Sequence, residues 1–137
     1  MSKILYKQGY KYQLLQDYIL QTGIKIHKNI YTEYISMSET GLVMIKKGYA
    51  WDGPSGPAID TKNFMRGSLL HDGLYQIMRQ GKLNHKKYRE KVDNLLKTMC
   101  LEDGMCSIRA WWVYTSIRYF GEKYATPTVV TDILTAP

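Results

Sequence analysis

Ala50-Trp51-Asp52-Gly53-Pro54-Ser55-Gly56-Pro57, followed after a short link by Leu69-Leu70-His71-Asp72-Gly73-Leu74-Tyr75, divides this chain into two halves of different character. Gly53, Pro54, Gly56 and Pro57 forbid regular structure, so one architecture ends there and another begins. Downstream, Phe64, Leu70, Leu74, Ile77 and Met78 recur at near-helical spacing up to Gly81. Asn84 is a fitting N-cap for a second helix striped by Tyr88, Val92, Leu95, Leu96 and Met99 and stopped by Gly104. A third, capped by Ser107 and ended by Gly121, carries Trp111, Trp112, Tyr114 and Tyr119, which read as core and interface residues, one of the two adjacent Trp facing outward.

Upstream of the Gly/Pro stretch, residues 4 to 50 are rich in Tyr, Ile and Val and hold no Pro, the composition of strands. Leu14 to Thr22, Ile24 to His27, Ile30 to Met37, Leu42 to Ile45 and Tyr49 to Trp51 read as strands, with His27 an ordinary strand residue. Ser38-Glu39-Thr40-Gly41 supplies a turn that makes Ile30–Met37 and Leu42–Ile45 a hairpin. The expectation is an α+β fold: an N-terminal antiparallel β-sheet packed on a C-terminal three-helix unit. Residues 1–125 form a single domain and 126–137 an extended or mobile tail.

The 137 residues suit one domain, and 45% apolar content fills one core. No apolar run reaches the roughly 18 residues a membrane span needs. The charged start Met1 to Lys7 does not read as a signal peptide, so a reducing compartment is expected. Cys100 and Cys106 lack disulfide-framework or zinc spacing and read as two simple thiols. The net charge of +7 favours anionic partners such as phosphate, nucleic acid or an acidic lipid surface. The densest basic run, Lys82 to Lys91, contains Glu90 and is equally the pattern of a solvated helix face.

Asp52, His71, Asp72 and Asp93 are the constellation that looks like chemistry. Neighbours on a helix diverge by about 100°, so His71 and Asp72 serve different partners. The short loop Gly81 to Leu83 makes the two helices antiparallel, which brings His71 level with Asp93. A carboxylate on one imidazole nitrogen fixes the tautomer and leaves the other as a base. Asp72 then points to the turn holding Asp52. Two carboxylates with backbone carbonyls are the oxygen donors a hard cation such as Ca²⁺ takes, and such a metal stabilises an oxyanion.

These residues resemble two families. His71-Asp72-Gly73-Leu74-Tyr75 followed by Val92-Asp93-Asn94-Leu95-Leu96 resembles the phospholipase A2 superfamily over about residues 50 to 100. That resemblance implies His71 as general base, Asp93 as its orienting carboxylate and Tyr75 as a second donor to it. It also implies a calcium site of Asp72, Asp52 and the Gly53 carbonyl, with a phospholipid or other ester as substrate. Over most of the chain, Gly48 to Pro57, His71 to Tyr75, Val92-Asp93 and Arg109 to Gly121 resemble a phage-encoded family of unknown function. A phage origin implies action in the host cytoplasm or in the virion. Other readings stay open. The polar residues serve equally as a buried network that locks two helices. The chain then becomes a non-catalytic phage accessory or virion binding protein, or a basic nucleic-acid-binding module.

Overall fold

The structure, a computed structural model, describes residues 6–7, 12–51 and 62–127. It has the expected order: antiparallel strands first, then a helical unit. The strands are β1 (Tyr6–Lys7), β2 (Tyr12–Leu14), β3 (Tyr18–Gln21), β4 (Ile30–Tyr31), β5 (Ile35–Met37), β6 (Leu42–Ile45) and β7 (Ala50–Trp51). They form a three-stranded sheet β1-β2-β7 and a four-stranded sheet β3-β6-β5-β4, not the single sheet expected.

The expected hairpin is present, with Ile35 opposite Ile45 and Met37 opposite Val43. Gly41 sits at φ +97 and its N–H donates to Ser38 O at 2.9 Å, while Leu42 N donates to Ser38 Oγ at 3.0 Å. Other strand limits need correction. Ile30–Met37 is two strands that pair with each other, Ile30 opposite Met37. The reversal is held by Thr32, whose Oγ1 accepts from Ile35 N at 3.0 Å and donates to Ile35 O at 2.8 Å. Leu14–Thr22 also divides, because β2 pairs with β7 whereas β3 pairs with β6. Asp17 at that corner accepts from Lys47 N at 2.8 Å. Ile24–His27 is not a strand, although Ile26 N donates to Glu39 O at 3.0 Å.

The helices are α1 (Lys62–Arg79), α2 (His85–Glu102), α3 (Ser107–Phe120) and the short α4 (Glu122–Ala125). Asn84 caps α2 as expected, accepting from Lys87 N at 3.1 Å. The residue capping α3 is Cys106, without a side-chain bond, and Ser107 is already helical.

α1 is the central element, with Leu69, Leu70, Leu74, Ile77 and Met78 all buried. Two of its glycines set how closely it packs. A Cβ on Gly67 would lie 2.7 Å from Leu96 Cδ1 on α2, and one on Gly73 would lie 3.2 Å from Ile45 Cδ1 on the four-stranded sheet. The main core therefore joins Ile35, Met37, Val43 and Ile45 of the sheet to α1. α3 packs by small residues, Ala110 and Val113, against Phe64, Leu96 and Cys100. This overturns the core assignment of its aromatics: Trp111 is 57% and Tyr119 81% exposed, and Trp112 is exposed as well. Small side chains face α2, and the large rings are left outside.

Candidate functional site: a buried carboxylate with one imidazole

Asp93 is fully buried on α2; it takes hydrogen bonds from α1 and α3 and an ion pair from its own helix. His71 Nε2 lies 2.8 Å from its Oδ1, and the Tyr75 hydroxyl donates to the same oxygen at 2.6 Å. Arg118 Nη1 of α3 donates to Oδ2 at 2.8 Å, with Arg89 Nε 3.8 Å from that oxygen. His71 and Tyr75 are one turn apart on α1, so both reach the carboxylate from one face. Their rings lie 4.0 Å apart between centroids.

Burial alone would raise the Asp93 pKa, but the bonds from His71, Tyr75 and Arg118 outweigh it and hold the carboxyl below its usual range. Burial, then the neighbouring Asp93 charge, pushes the Tyr75 phenol up, so it remains a donor. In the tautomer that donates from Nε2 to Asp93, the ring's lone pair lies on Nδ1. Nδ1 takes no hydrogen bond from a described residue. His71 as a whole is buried, with 8% of its surface exposed.

Around this centre the arginines do the holding. Arg89 Nε donates to the Tyr75 hydroxyl at 3.0 Å, and its Nη2 donates to Ile117 O at 2.7 Å and Arg118 O at 2.9 Å. Arg89 thus caps the last turn of α3, where Ile117 O also accepts from Gly121 N at 2.8 Å. Gly121 follows directly, and a Cβ there would lie 3.2 Å from both Arg89 Nη2 and the Tyr75 hydroxyl oxygen.

The expected trio His71, Asp93 and Tyr75 is therefore brought together. Asp72, on the next helical position, is half-buried. Asp52 and Gly53 lie outside the described residues, as do residues 128–137 of the expected tail. Among the described residues no three His, Cys, Asp or Glu side chains converge to hold a metal. His27 is not in a strand; it lies at a bend, its Nε2 3.1 Å from Lys87 Nζ. Cys100 is buried, its thiol pushed up to about 12 first by burial and then by the Asp103 charge, whereas Cys106 is exposed.

Sequence reasoning missed the arginines. Arg89 carried a signal, standing four residues before Asp93 on one helix. Arg118 carried none, because only the crossing of α3 over α2 brings it near. A second buried charge was also missed. Arg66 of α1 donates from Nε and Nη2 to Asp103 at 3.0 Å, from Nη2 to Glu102 at 3.3 Å, and from Nη1 to the Tyr18 hydroxyl at 3.1 Å.

No family model, curated protein or solved structure matches this chain. No helix among the described residues is long and apolar enough to cross a membrane.

Proposed function

We propose that this chain hydrolyses a carboxylic ester, a phospholipid being the favoured substrate, with His71 as general base. The observation that carries the reading is the 2.8 Å contact between His71 Nε2 and Asp93 Oδ1, with the far nitrogen of the ring left unbonded among the described residues. In the reaction, Nδ1 of His71 removes a proton from water as the water oxygen attacks the ester carbonyl. Asp93 steadies the imidazolium that results, and the ring returns the proton to the departing alkoxide, giving acid and alcohol. Tyr75 and Arg118 position the carboxylate. Calcium belongs to the same proposal: Asp72, Asp52 and the Gly53 carbonyl would hold it, and when bound it would supply Lewis-acid stabilisation of the oxyanion. A lipid ester is favoured by the exposed Ile108, Trp111, Tyr119 and Phe120 on α3, the helix that also supplies Arg118, and by the net charge of +7. Action as a phage protein, in the host cytoplasm or the virion, rests on the resemblance of residues 48–57, 71–75 and 109–121.

The test is release of fatty acid from phospholipid vesicles and of nitrophenol from a short-chain ester, with and without calcium. His71→Ala should lower turnover by about 10²- to 10⁴-fold while the folded spectrum is kept. A wild-type chain inert on both substrates, or a His71→Ala chain as active as wild type, overturns the reading. The competing view, a non-catalytic phage binding protein, draws on the number of donors around Asp93; it expects His71→Ala to change stability alone.

A further inference from the structure

The basic run after Gly81 acquires a different meaning once folded. His27 and Lys28, from the loop between β3 and β4, face Lys82, His85 and Lys86 across a cleft of about 450 Å³. Lys87 Nζ, 3.1 Å from His27 Nε2, ties that loop to α2. No acidic side chain lines the cleft among the described residues, and Glu90 is not part of its wall. Lys28, Lys82 and Lys86 are exposed, so water and salt screen much of their mutual repulsion. Basic residues gather at one place from segments far apart in sequence, and like charges repel. The first turn of α2 holds no acid, so its lysines also face the positive end of the helix dipole. A concave, single-signed wall concentrates the field on whatever enters. The floor is apolar: Leu83 and Tyr88, both buried, with Pro127 at the side.

We propose that this cleft is a binding site for a small phosphorylated organic molecule, the phosphate taken by the Lys28, Lys82 and Lys86 ammonium groups and the organic part laid on Tyr88 and Leu83. A phosphate monoester offsets the gathered charge with nearly two negative charges and several acceptor oxygens. The volume exceeds what a bare anion fills. The site shares no residue with the Asp93 network and does not depend on the hydrolase reading.

The experiment is calorimetric titration of the full chain with inorganic phosphate, glycerol 3-phosphate and phenyl phosphate. A parallel sedimentation uses vesicles of phosphatidylcholine with and without phosphatidylserine. Saturable binding is expected, tightest for phenyl phosphate. Exchanging two of the three exposed lysines, Lys28→Glu with Lys86→Glu, should weaken it by about tenfold per charge, roughly 1.4 kcal/mol each. Lys46→Glu, exposed at the end of β6 and outside the cleft, should stay within about twofold of wild type. His71→Ala should bind as wild type does, which separates this site from the proposed catalysis. Three results overturn the proposal: no saturable binding of any soluble probe, equal loss in Lys46→Glu, or binding only to the anionic vesicles.

Discussion

The Arg66 cluster and the Asp93 cluster both pin α1 to α2 with a buried charge, yet they are built oppositely. At the first, the buried group is a guanidinium and its acidic partners reach solvent: the Asp103 side chain is 24% and the Glu102 side chain 45% exposed. At the second, the carboxylate itself is fully buried and its partners are His71, Tyr75, Arg89 and Arg118. A clamp needs a permanent cation, which Arg supplies at any ordinary pH. An imidazole adds nothing to a clamp that a guanidinium would not supply better, but unlike a guanidinium it has a ring nitrogen that can accept a hydrogen bond. On the proposed reading, the difference separates a structural joint from a catalytic site.

Removing Asp93 should break that contrast most severely. Asp93→Ala leaves two guanidiniums and a phenol facing one another without their acceptor, at a cost of about 3–5 kcal/mol in urea unfolding. The pH dependence has a definite sign. Because the folded Asp93 pKa is depressed, its contribution is fully present above the ordinary carboxylate pKa of about 3.9 and is lost as pH falls through the lower folded value. Tyr75 acts at the other end: its raised pKa contributes stability that is present below about 10 and is lost as pH rises towards the folded value. Asp93→Asn should flatten the acid limb of a stability–pH profile, and an unchanged limb would mean that the carboxylate is not what holds the helices.

Arg66→Met should cost less, about 2 kcal/mol, because Asp103 and Glu102 turn to water when their partner goes. It should leave ester turnover per folded molecule unchanged. A variant that folds but loses turnover would erase the distinction between the two clusters. Gly121→Ala comes next, at about 2 kcal/mol, since the new methyl would lie 2.5 Å from the Ile117 carbonyl oxygen and 3.2 Å from Arg89 Nη2 and the Tyr75 hydroxyl. It should reduce turnover through displaced Tyr75 while leaving the Arg66 end untouched, as amide exchange at α1 and α2 would report. The smallest effect is a labelling difference. Cys106 should react with a thiol reagent in the native chain, and Cys100, buried and with its thiol pushed up to about 12, should react only on unfolding.

The hairpin at residues 38–41, the helix ends at Gly81, Asn84, Gly104 and Gly121, and the His71–Asp93 pairing were readable because each is a local matter. Turn residues mark reversals, and a short link between two amphipathic helices leaves them one way to lie. The breaks at Leu15–Asp17 and Thr32–Tyr34 were not readable, since neither holds Gly or Pro. One is made by Asp17 meeting Lys47 thirty residues on, the other by a Thr32 hydroxyl that turns the backbone of a good strand former. The α3 aromatics were misread for a related reason: hydrophobicity tells how much a side chain gains from burial, not which face a neighbouring helix will cover.

From its residue order alone this chain dictates a β-rich half, a proline-marked boundary and helices that set an imidazole opposite a carboxylate, because period, capping and turn chemistry act over a few residues. The division into two sheets, the outward Trp and Tyr of α3, the arrival of Arg118 at Asp93 and the meeting of His27 with Lys87 belong to the folded molecule. Each needs groups distant along the chain to be brought within reach of one another, and no local preference specifies that distance.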